Sequence, residues 1–145
     1  MIERTLFIIK PDAVKRNLVS QILSDVRASG LKLLVQKKVA LPRETLEGLY
    51  EEHFGKGFYG GLVDFMGSGV VVCAVLEGEG AIGRLRELMG NTYPSKASPE
   101  SIRGKYKLES DTGPTGVVEN MVHGSDSPER AKKEIELIFG KEWSV

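Results

Sequence analysis

The feature that most constrains the fold of this chain is an unbroken apolar run at residues 70–76, Val-Val-Val-Cys-Ala-Val-Leu. A short run of this kind, rich in β-branched residues and without polar alternation, predicts a strand that is buried on both faces. Cys73 is the only cysteine of the chain and falls inside the run. We therefore expect a small buried residue there and no disulfide framework.

Other elements are predicted on both sides of this central strand. Residues 5–9 and 31–41 read as strands, and residues 90–116 as a long excursion with one helical turn at 99–103, followed by a last strand at 117–122. Helices are predicted at 18–28, 42–50, 58–66, 81–89 and from 127 onward. Because the alternation is not a strict βαβ rhythm, we predict an α/β (α+β) two-layer sandwich in which helices cover an antiparallel sheet.

Length and charge narrow the class of protein. The 145 residues are close to the commonest domain size, so we expect one domain over residues 1–145. Twenty basic residues balance twenty acidic ones, which gives no overall attraction to nucleic acid or to an anionic membrane. The start of the chain has no signal-peptide pattern, and no apolar stretch approaches the ~20 residues of a membrane helix. We expect a cytoplasmic protein.

Two glycine motifs suggest a nicotinamide enzyme but lack its context. The pattern G-x-G-x-x-G occurs at residues 55–60 and 78–83. A dinucleotide site also needs a preceding strand and, roughly 20 positions on, an acidic residue at the end of a second parallel strand. The first match follows a helix, and the second leads into the Pro- and Ser-containing stretch 92–100. The common phosphate loop, G-x-x-x-x-G-K-[ST], does not occur either.

The most informative segment is residues 120–127, Asn-Met-Val-His-Gly-Ser-Asp-Ser. It puts His123 at a predicted strand end, close to the positive end of the next helix, where free N–H groups favour an incoming phosphate. Glu134 follows two turns into that helix. If the helix packs back, its carboxylate holds one imidazole nitrogen and leaves the other as a nucleophile. The alternative is an ordinary capped turn with an incidental histidine.

Several other side chains are candidates for nucleotide binding. If they converge, they form a cradle for a polyphosphate; separately, each is an ordinary surface residue. These residues are Lys10, Arg86, Thr92 and Arg103. Tyr50 and Phe58 present aromatic faces either to a base or to the core. His53, the second histidine, is expected to be exposed to solvent.

In combination, these landmarks resemble nucleoside diphosphate kinases. The resemblance runs from residue 3 to about residue 139 and rests on ordered segments at 3–12, 58–69, 77–78, 89–94, 101–104 and 123–127. It implies a ferredoxin-like βαββαβ fold with an antiparallel four-stranded sheet. It also implies a ping-pong reaction, in which a nucleoside triphosphate phosphorylates a histidine and a nucleoside diphosphate then collects the phosphate.

The resemblance also implies a role for each candidate. His123 is the implied nucleophile, supported by Ser125 and Glu134, with Lys10 and Tyr50 near the transferred phosphate. The implied nucleotide contacts are Arg86, Thr92 and Arg103 to the phosphates, Phe58 to the base, and Lys10 and Asn120 to the sugar hydroxyls. Mg²⁺ is expected to be bound through the nucleotide phosphates, with no dedicated protein cage of metal ligands.

The chain departs from the family pattern in three places. Between Arg103 and His123 it carries about seven extra residues, within 105–119, which we expect to form a small hairpin or loop on the nucleotide side. Tyr93 stands where a smaller polar residue is expected, and the chain is short after Trp143. We expect a homo-oligomer, and hexamer, tetramer and dimer all stay open.

Two other functions stay open at this stage. One is a family member of weak activity that acts by binding, which turnover would exclude. The other is a nucleic-acid-binding module on the same fold, since such sheets can stack bases on aromatic side chains. The balanced charge and the lack of an aromatic and basic strand motif argue against specific nucleic-acid binding.

Overall fold

A computed structural model describes residues 1–114 and 116–144. The strands are β1 (Ile2–Ile9), β2 (Lys32–Val39), β3 (Val71–Glu79) and β4 (Val122–Gly124). The helices are α1 (Pro11–Lys15), α2 (Val19–Ala28), α3 (Arg43–Leu49), α4 (Tyr59–Met66), α5 (Ala81–Met89), α6 (Ile102–Lys105) and α7 (Pro128–Phe139). Single turns of 3-10 helix lie at Glu51–His53, Pro94–Lys96 and Lys141–Trp143.

The four strands form one sheet in the order β2-β3-β1-β4, and each neighbouring pair is antiparallel. Helices pack on this sheet, so the predicted α+β class with an antiparallel four-stranded sheet is confirmed. No helix in the described part of the chain has both the length and the apolar character to cross a membrane.

The central strand β3 is buried on both faces, as its apolar run predicts. Its odd-numbered residues from Val71 to Val75 pack in a cluster with side chains of α3, α4 and α7. Its even-numbered residues from Val72 to Leu76 pack in a second cluster with side chains of α2 and α5. Cys73 is fully buried, and this burial raises the pKa of its thiol to about 12.

The last strand was predicted at 117–122, and this prediction is wrong. β4 begins at Val122 and pairs with β1, whereas the apolar residues before it take another course. Met121 has a φ of 70°, a left-handed conformation that does not continue a strand. Its N–H donates to Asp12 Oδ2 at 3.1 Å, and its carbonyl accepts from Lys10 N at 2.8 Å. These bonds stabilise the bend that precedes β4.

Two short helices also differ from the prediction. The helical turn expected at 99–103 is α6, shifted toward the C-terminus because Ser101 caps it by accepting a hydrogen bond from Gly104 N at 3.1 Å. The segment after Ile9 was predicted as a turn but forms α1. Pro11 occupies its first position, where the missing N–H costs no hydrogen bond.

Residues 111–119 form a small hairpin, of which Thr115 lies outside the described residues. Thr112 and Val118 pair as an antiparallel bridge, and Glu119 N donates to the Asp111 carbonyl at 2.8 Å. The Asp111 carboxylate accepts hydrogen bonds from Ser95 N at 2.9 Å and Ser95 Oγ at 2.6 Å. One carboxylate therefore ties the hairpin to the loop that follows α5.

Candidate active site

A single cleft of about 710 Å³ brings the predicted residues together. The cleft lies at the edge of the sheet near β4 and is also lined by α5, the turn after α3 and the 111–119 hairpin. The predicted residues on its wall are Lys10, Tyr50, Phe58, Arg86, Thr92, Arg103, Asn120, His123 and Glu134. Ser125 is buried behind this wall and contacts Glu134.

His123 lies within β4, directly opposite Ile8 of β1, whereas the sequence placed it at a strand end. The paired strands hold its backbone on both sides of the residue. Its ring packs edge-on against Tyr50, with 6.0 Å between the ring centroids. The imidazole is therefore positioned by the sheet and by an aromatic neighbour.

The Glu134 carboxylate holds one nitrogen of this imidazole. Glu134 Oε1 lies 2.9 Å from His123 Nε2 and accepts a hydrogen bond from Ser125 Oγ at 2.8 Å. Burial raises the pKa of Glu134, but the hydrogen bonds and charge of His123, together with Ser125 and Arg130, bring it below its usual value. An ionised carboxylate only accepts hydrogen bonds, so the proton is on Nε2 and Nδ1 carries the free lone pair.

The position of Glu134 follows from the pattern of α7. Ser127 caps this helix by accepting a hydrogen bond from Arg130 N at 3.1 Å, and Pro128 follows at its first position. The buried face of α7 carries Ala131, Glu134, Ile135 and Ile138. Glu134 is thus an acidic residue at a core position of an amphipathic helix, directed at β4.

Lys10 supplies a buried positive charge at the cleft. Its Nζ donates to Asn120 Oδ1 at 2.8 Å, and Asn120 Nδ2 donates to the Thr92 carbonyl at 3.0 Å. Burial, and to a smaller extent the charge of Arg103, lower the pKa of Lys10 to about 8, although Asp12 opposes the shift. An incoming anion stabilises the charged form of a buried ammonium more strongly than that of an exposed one.

Arg103 forms part of the wall and also stabilises the backbone around it. Its guanidinium donates to the carbonyls of Asn120 at 3.2 Å, Gly90 at 3.0 Å and Val122 at 2.8 Å. Burial, with a smaller effect from the charge of Arg86, lowers the pKa of Arg103 to about 10, although Asp12 opposes the shift. Arg86 is exposed on α5 and lines the same cleft.

Three aromatic rings follow one another from His123 toward the mouth of the cleft. His53 stacks on Tyr50 with 6.4 Å between the centroids and lies 5.1 Å from the ring of Phe58. The expectation that His53 is exposed is wrong, because these contacts leave it half-buried. Phe58 ends the row with 54% of its surface exposed. An exposed ring at the mouth of a cationic cleft is suited to stacking on a base.

Sequence reasoning missed several residues of the cleft. Val117 and Val118 were assigned to a strand, but they belong to the hairpin and form part of the wall. A Cβ on Gly61 would lie 3.2 Å from Val117 Cγ2, so the hairpin and α4 approach closely. Arg130 also lines the cleft, and its spacing of four residues from Glu134 was the signal that it could pair with that carboxylate.

Comparison with known proteins agrees with this geometry. The family model described as Nucleoside diphosphate kinase matches residues 3–143 of the chain. The chain belongs to the nucleoside diphosphate kinase family.

Individual relatives of this kinase family match over almost the whole chain. A nucleoside diphosphate kinase of Sulfurisphaera tokodaii is 45% identical over 97% of the chain and 91% of the relative. One of Saccharolobus solfataricus is 45% identical over 96% of both chains. Among solved structures, the apo nucleoside diphosphate kinase of Encephalitozoon cuniculi has a TM-score of 0.89 at 40% identity, covering 99% of this chain and 92% of that one.

A further solved structure is a halophilic nucleoside diphosphate kinase of Halobacterium salinarum in complex with CDP. It has a TM-score of 0.88 at 35% identity and covers 100% of this chain and 92% of that one. Membership of the nucleoside diphosphate kinase family establishes the activity. The chain is an enzyme that transfers the terminal phosphate of a nucleoside triphosphate to a nucleoside diphosphate by a ping-pong reaction through a phosphohistidine.

Proposed function

We propose that His123 is the histidine that carries the phosphate and that its Nδ1 atom is the nucleophile. The observation that supports this most strongly is the 2.9 Å contact between His123 Nε2 and the ionised Glu134 carboxylate. The contact fixes the tautomer and directs the lone pair of Nδ1 away from Glu134. Ser125 supports the same oxygen of Glu134, so both neighbours are proposed to act through the imidazole.

In the first half-reaction, Nδ1 attacks the γ-phosphorus of a nucleoside triphosphate. The Nδ1–P bond forms as the bond from the γ-phosphorus to the β,γ-bridging oxygen breaks, and the electron pair of that bond leaves with the nucleoside diphosphate. The Nε2 proton stays on the imidazole, where the Glu134 carboxylate stabilises the positive charge that develops on the ring. The second half-reaction is the reverse, with a terminal oxygen of another nucleoside diphosphate attacking the phosphorus.

The positive charges of the cleft are proposed to bind the phosphates. Lys10, Arg86 and Arg103 converge on the space next to His123, and Thr92 lies on the same wall. Preorganised cations in a partly buried site strongly stabilise the negative charge on a transferring phosphoryl group. Tyr50, whose hydroxyl is buried without a protein partner in the described part of the chain, is proposed to donate to the transferred phosphate.

The remaining contacts are proposed for the nucleoside. Phe58 is proposed to stack on the base, and Lys10 and Asn120 to bind the sugar hydroxyls. A structure of the Halobacterium salinarum relative is in complex with CDP, which supports a nucleotide as the ligand proposed for this cleft. Because every base has a π face, stacking on an exposed ring predicts weak discrimination among bases.

Mg²⁺ is proposed as the metal that accompanies the nucleotide. The described residues include no cluster of three His, Cys, Asp or Glu side chains able to hold a metal. These residues therefore fit an ion that is held mainly by the nucleotide. Mg²⁺ is commonly bound by substrate phosphates and water with few protein ligands. When bound, it would neutralise phosphate charge, and Lys10 and Arg103 would bind the remaining phosphate oxygens.

Organisation and location complete the proposal. Residues 1–145 are proposed to act as one kinase domain, with an insertion within 105–119 of which Val117 and Val118 line the cleft. A homo-oligomer is also proposed, supported by β2, which lies at one edge of the sheet and, among the described residues, pairs with a strand on one side only. The cytoplasm is proposed as its location, because its substrates are intracellular nucleotides.

Labelling tests the central assignment. The purified protein is incubated with γ-labelled ATP and Mg²⁺, and the label is tested for acid lability and for transfer to GDP. We expect acid-labile label on the wild type and none on His123→Gln. Label that persists in the variant would place the phosphate on another residue and overturn the assignment.

A further inference from the structure

Arg130 contacts the carboxylate that holds the proposed nucleophile. It lies on α7 one turn before Glu134, and its Nε is 3.3 Å from Glu134 Oε2. His123 and Ser125 bind the other oxygen, Oε1. The carboxylate is therefore held from both ends, by the imidazole and hydroxyl on one side and by a guanidinium on the other.

The guanidinium is itself held in a fixed position. Arg130 has only 13% of its side chain exposed, and its Nη2 donates to the Leu49 carbonyl at 2.9 Å. Its Nε also lies 2.7 Å from Glu52 Oε1, and its Nη1 lies 3.3 Å from Glu51 Oε1. Arg130 thus joins α7 to the end of α3, directly before Tyr50. A planar fork with several partners has little freedom to move away from Glu134.

We propose that Arg130 is a positioning residue for phosphoryl transfer, which keeps Glu134 ionised and oriented so that the His123 imidazole presents Nδ1 to the phosphate. The proposal rests on the proposed role of His123. It adds a residue that acts through the Glu134 carboxylate, which lies between the guanidinium and the imidazole.

The charges around Glu134 favour this role. Only 5% of the Glu134 side chain is exposed, whereas Glu51 and Glu52 are exposed by 42% and 50%. A charge interacts more strongly with a partner that water screens less, so the guanidinium has its largest effect on the buried carboxylate. Glu51 is also paired with Lys133, whose charge weakens the interaction of Glu51 with Arg130.

Among the described residues, the other titratable groups facing Glu134 are His123 and Tyr50. Burial raises the pKa of Tyr50 and the charge of Glu134 raises it further, so this phenol stays neutral. Burial also raises the pKa of Glu134, and Arg130 is one of the groups that reverse this shift. Without Arg130, Glu134 takes up a proton at a higher pH and ceases to be a pure acceptor for Nε2.

Single-turnover phosphorylation by γ-labelled ATP and Mg²⁺, followed across pH, tests the proposal. We expect Arg130→Ala to lower the maximal rate about ten- to a hundredfold, as is typical when a supporting contact of a reacting group is lost, with little change in the ATP concentration at half-maximal rate. Its acid limb is expected to move to higher pH. Arg130→Lys keeps the charge but not the fork and should restore part of both properties.

Lys133→Ala is the matched control. It removes one positive charge from the same helix, but its partner is Glu51 rather than Glu134 within the described residues. We expect a rate and a pH profile close to those of the wild type. Thermal unfolding of each variant confirms that it is folded at the assay temperature.

Three results would overturn the proposal. The first is a folded Arg130→Ala variant with the wild-type rate. The second is a slower variant whose acid limb has not moved, which indicates packing alone. The third is an equal loss in Lys133→Ala, which indicates only the net charge of α7. A wild type that is not phosphorylated would instead contradict the proposed role of His123. Failure of that role is thus distinguishable from failure of the role proposed for Arg130.

Discussion

The buried ammonium of Lys10 lies 2.8 Å from Asn120 Oδ1, although the two residues are 110 positions apart in the sequence. The contact crosses from the end of β1 to the bend before β4, next to the carbonyls that Arg103 holds. It places a cation with little water around it at the position proposed for the phosphates and the sugar.

The first prediction concerns the alkaline limb of activity. The pKa of Lys10 is lowered to about 8, so the free enzyme loses this charge as the pH rises through about 8. We expect kcat/KM for ATP to fall over that interval, because the proposed phosphate contact is lost. The measurement is kcat/KM from about pH 6 to 10 for the wild type and Lys10→Met. A limb of the same midpoint in Lys10→Met would assign it to another group.

The second prediction concerns stability. The folded-state pKa of Lys10 is about 8 and its ordinary value is 10.5, so the unfolded chain binds more protons between these values. The Lys10 contribution to the free energy of unfolding therefore rises from about pH 8 to 10.5, in total by about 3 kcal/mol. Urea unfolding of the wild type and of Lys10→Met measures this contribution. The free energy of unfolding of the wild type minus that of the variant should increase over this pH interval. A difference independent of pH would contradict it.

The third prediction separates binding from chemistry. His123→Ala should abolish phosphate transfer and leave nucleotide binding largely intact, because Lys10, Arg103 and Phe58 are unchanged. Calorimetric titration with ADP measures binding, and GDP phosphorylation measures transfer. Transfer by the variant would disprove the mechanism, whereas loss of ADP binding would show that the imidazole also shapes the cleft.

The fourth prediction compares two arginines of the cleft. Arg103→Ala removes three hydrogen bonds from a buried guanidinium to backbone carbonyls, so we expect a loss of about 2–4 kcal/mol in the free energy of unfolding as well as slower transfer. Arg86→Ala should slow transfer with a stability change within about 0.5 kcal/mol, because Arg86 is exposed. Denaturant titration distinguishes them, and equal stability losses would contradict the assignment.

The fifth prediction concerns the 111–119 hairpin. Asp111→Ala removes the carboxylate that ties it to Ser95 and should raise KM for nucleotides about three- to tenfold with little change in kcat. The hydrogen bonds from Ser95 lower the pKa of Asp111, in agreement with an ionised acceptor. Glu109→Ala, which removes an exposed carboxylate two residues earlier, is the control. Unchanged KM in Asp111→Ala would separate the hairpin from substrate affinity.

Much of the fold was predictable because its strongest signals are local. The apolar run of β3 and the helical spacing within α2, α5 and α7 act over a few residues, and the structure has these elements close to the predicted positions. The position of β4 was not predictable in this way. Val117 and Val118 have strand-like side chains, but the left-handed Met121 and its bond to Asp12 lie between them and the sheet. Only contacts between distant residues decide which part of that run pairs with β1.

The site was predictable to a similar extent. The residue types around His123 indicated a phosphate site, and the cleft contains the groups that were expected to converge. Arg130 and the contact of His53 with Phe58 depend on how α7 and the turn after α3 are packed. Such contacts carry weak sequence signals, because an arginine or histidine on a polar helix face usually faces solvent.

The thiol at the centre of β3 has a practical consequence. Cys73 is the only cysteine, and with a pKa of about 12 and full burial it remains an unreactive thiol while the sheet is intact. A thiol reagent can therefore modify the chain only when β3 separates from its neighbours. The alkylation rate of the native Cys73 thus reports how often the core opens. Nucleotides or variants that stabilise the sheet should lower this rate.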